Sequence, residues 1–188
     1  MNKADKKLMI FDAARELFYN RGFAETTMQE IADKAGMGKG TLYGYFTGKE
    51  ELFRELLRYD EMQHYSRLTE ILCQDCDLRA KMYRLAEFNV EVLEREYRLL
   101  EDMMQYDIFP ESWKTMAVDY KMDMMENTVR QAMASGEINS NLSVETATSV
   151  LFGSFSLYCF SKVILERKHP GRPEFEILYD MIFRGLAP

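Results

Sequence analysis

The segment TMQEIADKAGMGKGTLYGYF, residues 27–46, decides the fold. It opens on Thr27-x-x-Glu30, a capping box in which hydroxyl and carboxylate each satisfy a backbone N–H left unpaired at a helix start. Met28, Ile31, Ala32 and Ala35 then recur at helical spacing as a buried stripe. Gly36 follows at once, where a left-handed residue ends a helix without a Cβ penalty. Only Met37 separates it from Gly38, the next helix start. Two short helices joined by a glycine-containing turn of about three or four residues form the pattern of a helix-turn-helix.

Outward from this segment the chain stays helical. A first helix is expected from Lys3 to Asn20, with Ile10, Ala14, Leu17 and Phe18 on one face and Arg21-Gly22 ending it. Thr47-x-x-Glu50 reads as a second capping box, opening a longer helix whose Leu52, Phe53, Leu56 and Leu57 face inward. Further helices are expected over 48–74, 78–95, 97–106, 111–135 (stopped by Gly136), 143–167 (Ser143 as N-cap) and 173–185. No stretch alternates with period two for long, and the prolines fall only at 110, 170, 173 and 188. The expected fold is all-α, with a three-helix helix-turn-helix domain over residues 1–48 and a helical body, a second domain, over 49–188.

The net charge of −7 looks wrong for a partner of a polyanion until its distribution is read. Residues 1–50 hold eight bases against seven acids, so that segment is +1 and the remainder is −8. Cys73, Cys76 and Cys159 make an odd set without a disulfide framework, as suits a reducing cytoplasm. The N-terminus, with Lys3, Asp5, Lys6 and Lys7, has no apolar signal core. Thr146–Ser161 runs sixteen residues without a charge, short of a span and rich in Ser and Thr, so burial between protein helices is expected and no membrane partner.

Residues 10–53 resemble the DNA-binding domain of the TetR family of transcriptional regulators: Ile10, Ala13-Ala14, Leu17-Phe18, Gly22-Phe23, Thr26-Thr27, Ile31-Ala32, Ala35-Gly36, Lys39-Gly40-Thr41-Leu42-Tyr43, Tyr45-Phe46 and Lys49-Glu50-Glu51-Leu52. The resemblance implies a cytoplasmic repressor that binds double-stranded operator DNA as a homodimer and is released by a small-molecule effector. Activation, or the absence of a ligand response, is the alternative. A recognition helix inserts its N-terminal end into the major groove, so Lys39 is suited to a phosphate or guanine edge and Thr41 to a base, phosphate or thymine methyl. Gly40 allows close backbone approach, and Tyr43 and Tyr45 carry hydroxyls suited to phosphate oxygens. Thr27, Gln29 and Lys49 sit at helix starts where backbone contacts are made. Gly38 and Gly44 depart from the family pattern, which has Ser or Thr at the first position and a larger residue at the second. They loosen the reading helix, which is expected to be ordered in part by DNA.

The body resembles the family in helix layout alone. Its ligand residues are expected among Phe88, Glu91, Met103, Met104, Tyr106, Trp113, Tyr120, Met124 and Phe155, a region dense in Met and aromatics. An apolar or aromatic effector fits them, with a lipophilic cation second. Residues 143–165 are apolar on nearly every face, more than one core can bury, so a dimer interface is expected at Val150, Leu151, Phe155 and Tyr158. Two-fold symmetry would place the reading helices about 34 Å apart, one DNA turn. Glu61-x-x-His64 and Glu166-x-x-His169 have the spacing of a di-iron bundle enzyme, but the second pair lies in a charged, solvated helix end. Cys73-x-x-Cys76 lacks a second ligand pair. No enzyme, metal or cofactor is expected.

Overall fold

The computed structural model describes residues 2–108 and 116–186, and among them every regular element is helical. The order is α1 (Lys3–Arg21), α2 (Met28–Lys34), α3 (Lys39–Tyr43), α4 (Lys49–Leu72), α5 (Leu78–Tyr106), α6 (Met116–Ala134), α7 (Val144–Phe160, continued by a π-helical turn Ser161–Leu165) and α8 (Arg172–Leu186). The chain packs as two compact units, one of Met1–Gln63 with Arg95–Lys114, the other of His64–Glu94 with Thr115–Pro188. The motif-based division at 48/49 is therefore not where packing divides the chain: the first unit runs on into α4 and includes the end of α5.

In the first unit, α1 starts on a reciprocal cap. Asn2 Oδ1 accepts the Asp5 N–H at 2.8 Å, and Asp5 Oδ2 accepts the Asn2 N–H at 2.9 Å. It stops at Gly22, whose φ of +86° only glycine adopts without strain and whose N–H bonds the Phe18 carbonyl at 2.8 Å. Ile10, Phe18, Ile31, Leu42, Leu52 and Phe53 are fully buried together. Phe18 meets Phe53 edge-on at 5.0 Å between ring centres, and Phe23 closes on Phe53 at 5.0 Å. Each such side chain contributes about 1.5–3 kcal/mol of apolar burial. Leu99 and Met103 near the end of α5, and Ile108 just beyond it, complete this core.

The second unit is built on Met82, Ala86 and Val90 of α5, Val129 of α6, Leu151 and Phe155 of α7, and Phe175 and Tyr179 of α8. Ser143 caps α7 as expected, accepting the Thr146 N–H at 3.2 Å.

Three local expectations are corrected. The helix starting at Leu78 does not break near residue 96: Glu94-Arg95-Glu96-Tyr97-Arg98 holds no Gly or Pro, and α5 runs through it unbroken. The box at Thr47 closes on Glu51, not Glu50, with both the Thr47 N–H and hydroxyl donating to Glu51 Oε2 at 2.6 Å. One more residue fits in that cap because Gly48 lies between Thr47 and the first turn of α4. The helix from Ser143 is regular only to Phe160, after which the π-helical turn follows. The start expected at 111 lies outside the described residues.

Candidate nucleic-acid interface

The turn between α2 and α3 holds its shape through backbone bonds. Gly36 adopts φ +66°, its N–H bonds the Asp33 carbonyl at 3.1 Å, and the Met37 N–H reaches back to Ala32 at 3.0 Å. The box at Thr27 forms as expected. Glu30 Oε2 accepts the Thr27 N–H at 2.9 Å and its hydroxyl at 2.8 Å, and these bonds hold the Glu30 carboxyl below its usual range. Gly38 starts α3 without a side-chain cap, its carbonyl accepting the Thr41 and Leu42 N–H groups at 2.9 and 3.2 Å.

Leu42 points inward and is fully buried, which turns Lys39, Gly40, Thr41 and Tyr43 outward to solvent. The Lys39 ammonium lies 5.9 Å from the centre of the Tyr43 ring. Gln29 is also exposed, its amide donating to Asp33 at 2.7 Å. Tyr45 is half-buried against Phe46. Lys49 is engaged inside the unit: its ammonium donates to the Phe23 and Ala24 carbonyls at 2.7 and 3.0 Å and lies 4.5 Å from the Phe23 ring centre.

The slight positive balance of residues 1–50 gains meaning from these partners. Lys7 pairs with Glu55, Arg15 with Asp12 and Asp60, Arg21 with Glu30 and Lys34 with Glu16. Among the described residues, Lys3, Lys6, Lys39 and Lys49 of that segment have no ion pair, Lys49 being held by backbone carbonyls instead. Lys39 is the one of these on the reading helix.

A contact that the sequence did not reveal holds the α1–α2 turn. Asp102 on α5 is buried and its Oδ2 accepts the Phe23 N–H at 2.7 Å, while Arg98 donates to the Asn20 and Arg21 carbonyls at 3.1 and 3.2 Å. The Tyr106 ring packs 5.4 Å from Phe23. Asp102 in the sequence is one acid among several on an amphipathic helix, and only the fold brings it to residue 23. Asp102→Ala leaves a buried N–H unpaired and is expected to cost the first unit about 1.5–3 kcal/mol in urea denaturation. An unchanged midpoint would show that water replaces the carboxylate there.

The residues expected to form one ligand site do not gather. Met103 is in the core of the first unit, Met104 is exposed, and Tyr106 packs on Phe23 in that same unit. In the second unit Phe88 and Glu91 line a charged cleft of about 350 Å³ with Arg67 and Arg84. Met124 instead lines a cavity of about 540 Å³. Phe155 is fully buried core. Trp113 and the side chain of Tyr120 lie outside the described residues.

Of the expected dimer residues, Leu151 and Phe155 are fully buried inside the second unit, which removes them from any interface. Val150 is exposed and Tyr158 half-buried. On α7, its π-helical continuation and α8, the large apolar side chains facing solvent among the described residues are Val150, Leu157, Phe160, Leu165, Ile177 and Met181. Val144–Leu165 is apolar and long enough to cross a membrane by length and composition, and about a third of it is buried. The buried part packs inward through Ala147, Leu151, Phe152, Phe155 and Cys159.

Among the described residues no three His, Cys, Asp or Glu side chains are placed to hold a metal. Glu166 bonds Lys162 and Lys168, and His169 bonds Glu94 at 2.7 Å. Cys159 is buried against the Ala86 carbonyl, and burial pushes its thiol up to about 12.

Residues 10–56 match the family model described as bacterial regulatory proteins, tetR family. The helix-turn-helix-type transcriptional regulator YvkB of Bacillus subtilis is 30% identical over 158 residues, covering 78% of this chain and 79% of that protein. Among solved structures, a TetR-family regulator from Mesorhizobium loti superposes with a TM-score of 0.77 at 22% identity, covering 98% and 96% of the two chains. FadR of Bacillus subtilis, in complex with stearoyl-CoA, superposes with a TM-score of 0.69 at 20% identity, covering 96% and 99%.

Proposed function

This chain belongs to the TetR family of bacterial regulatory proteins, and from that premise we propose a repressor that grips its operator through α3, acts as a homodimer in the cytoplasm and is released by a small, largely apolar ligand. The observation that carries the grip is the outward row Lys39-Gly40-Thr41-Tyr43, anchored from behind by buried Leu42, with the Lys39 charge unspent on any carboxylate of a described residue. Gln29 and the Thr27 backbone flank that row. Tyr45 and Lys49 take a supporting role, Lys49 by tying the turn after α1 to the first turn of α4.

The homodimer rests on the solvent-facing apolar side chains of α7 and α8. Gly153 stands among them with open space around its Cα, so a partner helix can approach closely there. Release rests on continuity. Both α4 and α5 contribute residues to each unit, so a ligand that favours one setting of their body ends also favours one setting of the head. The similarity to a FadR that binds stearoyl-CoA supports an apolar effector.

Fluorescence anisotropy with fragments of the intergenic DNA flanking the protein's own gene tests the reading. Specific binding that weakens steeply with salt is expected. Failure to bind any such fragment better than random DNA would overturn it.

The uncapped start of α3 yields a further expectation. Gly38→Ser supplies the missing cap and should stabilise the head by a few tenths of a kcal/mol, the usual difference between Gly and Ser at an N-cap. Hydrogen exchange in residues 39–43 of the free protein should slow accordingly. Equal protection in Gly38→Ser and the unaltered protein, or no added protection of this helix by operator DNA, would mean that α3 is already fully formed.

A further inference from the structure

We infer that the open cavity of about 540 Å³ lined by the end of α4, the start of α5 and the later turns of α6 takes an amphiphilic organic anion, whose charged head is bound by Lys81. The inference deepens the reading of this protein as ligand-responsive and rests on it. Lys81 lines this cavity on the first turn of α5 and is only 8% exposed. Its ammonium makes no hydrogen bond or ion pair with any described residue. The burial falls on its carbon stem, and the ammonium keeps access to the cavity, where an anion can meet it.

The other charged group bound into the wall is already spent. Glu137 Oε2 accepts the Leu78 N–H at 2.9 Å and its Oε1 accepts the Ser135 hydroxyl at 3.0 Å. Asp75 is exposed and forms no ion pair with Lys81. Asn127 and Gln131, one turn apart on α6, bring amide donors to the same cavity, a set that suits carboxylate or phosphate oxygens. Leu72, Leu78 and Met124 supply aliphatic wall for a tail. The volume is that of a site for a metabolite-sized molecule. A lipophilic cation, the second effector considered from sequence, would face this ammonium directly and is disfavoured here.

The test titrates decanoate, 1-decanol and decanoyl-coenzyme A calorimetrically into the full chain and into Lys81→Met and Lys81→Arg. Decanoate is expected to bind at least about tenfold tighter than decanol, a difference of one charge-assisted contact. Lys81→Met should erase that advantage while keeping decanol affinity, and Lys81→Arg should preserve it. Without ligand, Lys81→Met should melt no lower than the unaltered protein, because it keeps the buried stem and removes an ammonium that bonds to no described residue. Decanoyl-coenzyme A distinguishes the source of the anion. Tight, Lys81-dependent binding assigns the head to the phosphates of a thioester, and selective binding of decanoate assigns it to a free carboxylate. Equal affinity for decanol and decanoate, decanoate binding indifferent to Lys81→Met, or binding of none of the three overturns the proposal. Operator affinity is read separately: a probe bound through Lys81 that never loosens DNA refutes the ligand-released repressor and leaves this site standing.

Discussion

Lys39→Ala combined with Thr41→Ala is expected to weaken operator binding by about a thousandfold or more, since a base-edge contact contributes about 1–3 kcal/mol and a two-fold complex loses each contact twice. The melting temperature should stay within about 1–2 °C, because changes at exposed sites fall within about 0.5 kcal/mol. Both side chains are exposed, and the Lys39 ammonium lies over the exposed Tyr43 ring. The single variants then separate two roles for Lys39. If it neutralises a phosphate, Lys39→Ala lowers the slope of log affinity against log salt by about 1 for each subunit. If it reads guanine, the slope changes less and one position of each half-site loses its preference. Anisotropy titrations over a salt series, on the operator and on single-base variants, measure both. Affinity retained within twofold in the double variant would remove α3 from the interface.

The head was legible in the sequence because its determinants are local. The Thr27 box, the stripe ending at Ala35 and the stop at Gly36 lie within one stretch, and each forms as read. The box at Thr47 shifted by one residue because Glu50 and Glu51 are chemically equivalent there and only the path through Gly48 selects between them. The body was less legible, for two physical reasons. Density of Met and aromatics does not say which core will claim a side chain. Met103 and Tyr106 lie on an unbroken helix whose end packs into the head, and so they never reach the body. A helix apolar on every face likewise carries no moment to tell inside from outside. That is why Leu151 and Phe155 were assigned to the interface although the fold turns them inward, while Leu157 and Phe160 face out. Lys81 and Asp102 gave no local signal, since each looks like an ordinary charge on an amphipathic helix.

The outward face of α7 and α8 carries the second large effect. Leu157 is 68% exposed and Met181 71%, so neither supports the core of its own unit, and side chains this apolar and this exposed are the ones a partner subunit would cover. Leu157→Glu with Met181→Glu should therefore leave the fold intact and place two carboxylates from each protomer in the proposed interface, where like charges that have lost their water oppose association. Sedimentation should show the unaltered chain as a dimer and the double variant as a monomer, with unchanged helicity by circular dichroism. Operator affinity should then fall by about 10²–10⁴, the avidity lost when two half-site contacts are no longer tethered. Affinity for an isolated half-site should be unchanged, because α3 lies in the other packed unit. This half-site control distinguishes lost symmetry from a damaged head. A double variant that stays dimeric would place the interface elsewhere. If it is monomeric yet binds the full operator undiminished, each head acts alone and two-fold symmetry has no part in recognition.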